Sequence, residues 1–464
     1  MYHRLWRMKL ANLLDRDWNR LNFALRKQKK EKYMKTMKNL AKLMFMSILT
    51  AATTVFFTAC TSDDDLMTNE NWEADKGATR QPSQPERTVL VYMAGKNDLT
   101  SSGTDFLEAD LKEIKEGSKK LSDKDCILVF VRRYQPNDNM ETPWLARIWR
   151  GEVTDSVSVA DMGISMSDAR ACDPEVMERV MNYAYTKYAA TRDYGLVLWG
   201  HGSGWLIESD MARTRAYGLD NGNYIGGSGK WMNIPTLNRI LQKMPHMRFI
   251  LCDCCHMMCL EDLYELRNVT DYMIGSPAEI PGKGAPYDTI LPAFFEKESF
   301  YSSIIGRYHA SVKGNLPLSV VKMSEMDHVA QATALALESV KANLGGGYAD
   351  MTDIIHYGYV DKDYSKHKEE HDFFFDAGDF MSRYASAADY QMWNEALSKA
   401  VVMKRIGYYW DTVATWPKIY SDFKMTEEKF HGVSMFVPQN PSKGYYARFN
   451  EDIKQMEWHQ VVSL

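Results

Sequence analysis

From residue 87 onward, two apolar patterns alternate along the chain. One is the short continuous run, rich in β-branched residues and closed by a turn residue, that marks a strand buried on both faces of a parallel sheet. "TVLVYMAG" (88–95), "CILVFVRRY" (126–134), "YGLVLWGHGSG" (194–204), "RFILCDCC" (248–255) and "DYMIGSP" (271–277) are of this kind. The other pattern spaces its apolar residues as a helix does. It covers "DFLEADLKEIKEG" (105–117) with a Gly stop, "DPEVMERVMNYAYTKYA" (173–189) with an Asp cap and Pro in the first turn, "NIPTLNRILQKM" (233–244), also capped, and the "LEDLYELRN" that follows the fourth strand.

Strand alternating with helix predicts an α/β fold, a mostly parallel sheet with helices on both faces. The last third is mixed. "NLPLSVVKMSEMDHVAQATALALESVKANL" predicts a strand and then a helix, "DFFFDAGDFMSRYAS" and "YQMWNEALSKAVV" predict helices, and "KFHGVSMFVPQNP" predicts a late strand. This gives a core over 87–325 and a C-terminal region over 326–464 that completes it, with no internal repeat. In such sheets functional groups gather beyond the carboxyl ends of the strands. His201 lies just past the third strand and Cys255 at the end of the fourth, so both face one crevice if those strands are neighbours.

The N-terminal pattern differs. Basic "KKEKYMKTMKNLAK" precedes an apolar run from Leu43 to Ala59 that ends in small residues before Cys60. A basic segment, an apolar segment and a small-residue cleavage site make a secretory signal. The ending "FTAC" resembles a bacterial lipoprotein lipobox, whose cysteine is diacylated and becomes the first mature residue. That assigns 1–59 to a leader and lipidation to Cys60; the apolar run is marginal for a membrane span of about 20 residues. Residues 1–33 exceed a normal signal, which places the true start near Met34 or Met37 or makes this a cytoplasmic extension that is cut away. Residues 60–86 are polar and read as a flexible tether. The run Asp63–Asp65 resembles the export tag of surface-displayed lipoproteins. The expected location is the cell envelope, lipid-anchored in the outer membrane, with the tag pointing to the surface.

Composition changes the picture only by exclusion. The chain has 464 residues, 45% hydrophobic and 25% charged, with a formal net charge of −5. No global basic surface points to nucleic acid, and neither a P-loop nor a dinucleotide fingerprint occurs. Cysteine is more informative. Four of the seven cysteines, Cys252, Cys254, Cys255 and Cys259, fall in "FILCDCCHMMCLEDLYEL" beside His256. Structural zinc wants paired ligands across a turn and a second pair elsewhere. Here neighbouring strand positions point to opposite faces, and Cys126 and Cys172 stand apart. A disulfide framework suits small exported domains better than a large core. A nucleophile needs a strand-end thiol, a nearby histidine and backbone amides able to hold an oxyanion, and "LWGHGSGW" with "DCCHMMCLE" supplies all three.

These two motifs resemble the clostripain family of cysteine peptidases, of the caspase-like clan, which carries a strand-terminal His-Gly and a later Asp-Ala-Cys followed by a helix containing Glu. "GHGSGW" and Asp253, Cys255 and Glu261 stand at the matching spacings, and "TVLVYMAGKNDLT", "YDTIL" (287–291) and "GVSMFVPQ" (432–439) fit as well. The resemblance implies a caspase-like sheet and an endopeptidase acting on proteins or peptides. It makes Cys255 the nucleophile and His201 the general acid and base. The N–H groups of Gly202 and Cys255 form the oxyanion hole, and Asp253 sits in the S1 pocket. A dyad suffices in this family, and no third member is assigned.

Some relatives require calcium; nothing in this sequence requires a cofactor, and no metal is assigned. Relatives cleave after Arg or Lys, using a second acid in the loop after the next strand. Here that loop reads "AEIPGKGAPY", with Lys283 at the matching place, which opposes a cationic P1 side chain. Many members cut themselves between the His and Cys strands, and here Arg213 and Arg215 lie in the polar segment that suits this. The competing readings are a catalytically silent, peptidase-like binding lipoprotein, which the altered loop favours, and a transferase using the same thioester.

Overall fold

The structure is a computed structural model and describes residues 84–101, 105–134, 142–165, 168–206, 216–222, 229–357, 374–407, 425–442 and 446–463. The leader, Cys60, Asp63–Asp65, Arg213 and Arg215 lie outside the described residues. The described part belongs to one compact unit, Thr79–Leu464.

The strands are β1 (Arg87–Gly95), β2 (Asp125–Arg133), β3 (Trp144–Trp149), β4 (Glu152–Ser158), β5 (Asp193–Gly200), β6 (Tyr217–Asp220), β7 (Lys230–Met232), β8 (Met247–Asp253), β9 (Thr270–Gly275), β10 (Leu318–Lys322), β11 (Phe375–Asp376), β12 (Val401–Arg405) and β13 (Ser434–Met435). The helices are α1 (Asp98–Ser101), α2 (Phe106–Ser118), α3 (Pro174–Lys187), α4 (Ile234–Leu241), α5 (Leu260–Glu265), α6 (Tyr287–Ile290), α7 (Phe300–Ser311), α8 (Met326–Leu344), α9 (Ala377–Tyr384), α10 (Ala387–Ala400), α11 (Tyr446–Asp452) and α12 (Glu457–Val462).

Among the described residues nine strands form one sheet in the order β12-β10-β9-β8-β5-β1-β2-β3-β4. β9, β8, β5, β1 and β2 run parallel, and the outer strands are antiparallel additions. This is the mostly parallel, helix-flanked α/β sheet that the pattern predicts. The apolar runs are continuous because both faces are covered. Leu90, Tyr92, Leu196, Leu198, Ile250 and Cys252 face one core, which also holds buried residues of α3, α4 and α8. Val89, Val91, Met93, Val197, Phe249 and Leu251 face a second core, with α2 and α7. At the amino end of the sheet, buried Arg87 binds the Asp193 carboxylate and the carbonyls of Phe294 and Glu296.

Local differences from the sequence reading have plain causes. β4 gave no apolar signal because it is largely solvent-facing at the sheet edge. "DFFFDAGDFMSRYAS" divides into β11 and α9, since Asp376 caps the helix through the N–H groups of Gly378 and Asp379. The end of "YQMWNEALSKAVV" leaves α10 and becomes β12 on the sheet edge. The late strand shortens to Ser434–Met435, paired with β11. Asp173 caps α3 as expected, whereas Asn233 makes no side-chain cap bond at α4, which begins with Pro235 in its first turn.

Candidate active site

β5 and β8 are neighbours and parallel. His201 and Cys255 therefore leave adjacent strands at the same, carboxyl, edge of the sheet. Between β1 and β5 the chain order also reverses, since β1 leads to β2 on one side while β5 lies on the other. That is where an open parallel sheet leaves a crevice for a ligand.

The cysteine cluster separates by face. Cys252 and Cys254 belong to the first core and Cys259 is buried with them, while Asp253 and Cys255 turn to the other side. All six described cysteines are thiols. Burial pushes the Cys254 and Cys259 thiols well above the usual range, and Cys126, on β2, is pushed up to about 11 by the same cause. Cys255 alone among the six is partly exposed. Its Sγ accepts the Ile280 N–H at 3.4 Å.

The turn carrying Cys255 is tightly held. His256 follows it with a left-handed backbone, φ +62°, a conformation that costs a non-glycine residue of order 1 kcal/mol. The His256 N–H donates to Ala278 O (3.1 Å), and its ring stacks on Phe374 at 4.7 Å. The C-terminal region adds two more ties: Ser434 N–H to Met258 O (3.0 Å) and Phe436 N–H to Glu261 Oε1 (2.7 Å). Glu261 lies in α5, and burial pushes its carboxyl up to about 7.

The histidine turn packs directly on this one. A Cβ at Gly202 would stand 2.7 Å from Cys255 O and 3.0 Å from Cys254 Cβ, so only glycine lets the two backbones meet. Gly218 N–H donates to His201 O (2.9 Å) and Ser203 N–H to Ala216 O (2.8 Å), which fixes the turn on either side of Gly202. His201 Nε2 lies 2.7 Å from Asp98 Oδ1, and Trp231 of β7 stands beside the ring at 6.1 Å.

Asp253, two residues before the thiol, is buried. Ala285 N–H donates to both of its oxygens (3.0 and 3.1 Å), and the hydroxyls of Tyr287 (2.7 Å) and Tyr308 (3.5 Å) donate as well. It does not cap α5. The Gly284 backbone covers it, since a Cβ there would lie 2.7 Å from Oδ2. A second buried carboxyl, Asp110 of α2, receives Trp199 Nε1–H at 2.6 Å. Burial raises both carboxyls above the usual range, and the charge of Asp253 raises Asp110 further. Glu113 accepts the Tyr287 N–H (2.9 Å), and its carboxyl is also raised by burial, with the Lys283 charge opposing. Lys283 itself is exposed.

The sequence reading missed Asp98, Trp231, Asp110 and Glu113. Asp98 had a signal: it follows the carboxyl end of β1, the same placement that marked His201. The others had none, because only the sheet order and the fold of α2 bring them near.

Residues 91–463 match the clostripain family. No curated protein matches the chain. Among solved structures, a secreted C11 cysteine protease from Bacteroides thetaiotaomicron, in complex with an irreversible peptide inhibitor, is 28% identical. The match covers 81% of this chain and 98% of that one, with a TM-score of 0.63. An inactive zymogen C11 protease from Parabacteroides distasonis is 27% identical over 82% of this chain and 99% of its own, with a TM-score of 0.64. A further secreted C11 protease of B. thetaiotaomicron, at 21% identity and a TM-score of 0.60, shares the fold.

Proposed function

The chain belongs to the clostripain family of cysteine peptidases, and from that premise we propose that it is an exported, lipid-anchored endopeptidase using a Cys255–His201 dyad. The observation that carries this reading is the placement of Cys255, the one partly exposed thiol among the described cysteines, beside the strand end that bears His201. Export and the anchor at Cys60 rest on the signal and lipobox pattern and on the secretion of one structural relative. The caspase-like clan follows from the same motifs.

The chemistry runs in two steps. His201 takes the Cys255 S–H proton as Sγ attacks the scissile carbonyl carbon, and the N–H groups of Gly202 and Cys255 receive the oxyanion. His201 protonates the leaving amine as the C–N bond breaks, leaving a thioester. His201 then takes a proton from water, which attacks the thioester and frees the acid and the thiol. No step needs a metal; loss of cleavage in EDTA would overturn that.

Burial shifts the carboxyls of Asp253 and Asp110 toward their neutral forms, so the expected preference for Arg or Lys at P1 comes from the family resemblance. Lys283, on the exposed side of the loop 278–287, opposes it. We expect cleavage after Arg and Lys that rises about three- to tenfold in Lys283→Ala, the scale of one like-charge contact in a partly screened site. Self-cleavage at Arg213 or Arg215 follows if that preference holds, and the zymogen state of one relative supports such a step.

The test is digestion of a diverse peptide library by the full-length protein beside Cys255→Ala, with cut sites read by mass spectrometry. Cleavage lost in the variant establishes the nucleophile and names P1. Clean Arg/Lys selectivity that Lys283→Ala leaves unchanged removes the role of Lys283. An uncut chain with full activity removes self-cleavage as a requirement. No cleavage by either protein, after reduction, calcium addition and a cut near Arg215, favours the silent binding lipoprotein instead.

A further inference from the structure

We propose that Asp98 is a positioning residue that holds His201 by Nε2 and leaves Nδ1 as the nitrogen that exchanges a proton with the thiol. The inference rests on the dyad reading above and adds a member that reading lacks. Its geometry is a 2.7 Å contact between Asp98 Oδ1 and His201 Nε2. An imidazole that donates Nε2–H to a carboxylate carries its lone pair on Nδ1, so the contact selects a tautomer as well as an orientation.

The turn bearing Asp98 is built to hold that carboxylate still. Ala94 pairs with Gly200, so β1 and β5 end side by side and their following residues meet. Asn97 anchors the turn by donating from Nδ2 to Ala94 O (3.0 Å) and Leu219 O (2.8 Å). Asn97 Oδ1 accepts the Leu99 N–H at 2.9 Å, which makes Asn97 rather than Asp98 the cap of the helical turn. Thr100 Oγ1 closes it by donating to Gly95 O (2.6 Å). Trp231 stands near the ring, with centroids 6.1 Å apart. The Asp98 side chain is 71% exposed, so its electrostatic effect is screened and its main contribution is orientation.

The test compares the full-length protein with Asp98→Asn, Asp98→Glu and Cys255→Ala. Kinetics on a cleaved peptide are paired with ¹⁵N spectra of the histidine rings, His201 being assigned by its loss in His201→Gln. A buried Asp in the same role is worth about 10⁴ in kcat; at this exposure we expect roughly ten- to a hundredfold. Asp98→Asn should lower kcat by that factor, with KM within about twofold and an unchanged Tm. Asp98→Glu should recover part of the loss, and the Nε2-protonated signature of His201 should be lost in Asp98→Asn. Wild-type kcat in Asp98→Asn, or a loss that Asp98→Glu does not relieve and that tracks a fall in Tm, overturns the proposal. If no peptide is cleaved even by the wild type, the peptidase reading fails while the spectra still decide this one: an unchanged His201 signature in Asp98→Asn refutes it and a changed one sustains it.

Discussion

Gly202→Ala isolates the contact between the turns that carry His201 and Cys255. Gly202 is not among the residues with positive φ, so alanine meets no backbone strain there. The added methyl would instead stand 2.7 Å from the Cys255 carbonyl oxygen, about 0.7 Å short of ordinary contact. Neither partner is the far end of a flexible side chain: one is the carbonyl of Cys255, the other the Cβ of buried Cys254. The strain must move the turns apart, and a displacement approaching 1 Å at a reacting group costs of order a hundredfold. We expect kcat/KM to fall about ten- to a hundredfold, with an overpacking cost of about 1–3 kcal/mol. Peptide hydrolysis gives the first quantity and urea unfolding the second. A Gly202→Ala protein that cleaves at the wild-type rate would refute the claim that these backbones position one another.

Three other outcomes follow from the packing. Arg87→Ala removes a buried guanidinium from Asp193 and two carbonyls, and should cost about 3–5 kcal/mol in urea unfolding; a loss below about 1 kcal/mol contradicts the role given to it. Glu261→Gln keeps an acceptor for Phe436 N–H but removes a carboxyl that burial raises from 4.5 to about 7. A carboxyl raised in this way gives its full stability below its unfolded pKa and loses it as pH rises through the folded one. The variant should therefore match the wild type near pH 4 and exceed it at pH 8 by up to about 3 kcal/mol, and equal Tm values at pH 8 would count against the reasoning. Iodoacetamide at neutral pH should label Cys255 in the folded protein and spare Cys252, Cys254 and Cys259, each at most 1% exposed; peptide mapping that finds Cys254 modified first would reverse the choice between the two.

The parallel strands were legible because a strand covered on both faces must be apolar throughout, and β1, β2, β5 and β8 are. The edge was not, since β4 and β12 keep much of their surface in solvent and carry no such run. The meeting of His201 and Cys255 at one sheet edge was legible because each sits one or two residues past a recognisable strand. Asp98 and Asp110 were hidden for another reason. They lie 103 and 89 residues from the groups they bind, and only the order β5-β1-β2 brings those positions together. Asp253 is the instructive middle case. Its place beside the thiol was readable, but its burial under Gly284 and its three donors depend on the loop after the next strand and on Tyr308 of α7.

The ties between the C-terminal region and the cysteine turn also set a timetable. Glu261 and Phe436 are 175 residues apart, so a ribosome that has just finished β9 has made all five parallel strands and both His201 and Cys255. The segments that brace the Cys255 turn, Phe374 under His256 and Ser434 against Met258, do not yet exist. A growing chain can thus form its sheet early, yet lacks the support for its reactive turn until nearly all of it has been synthesised.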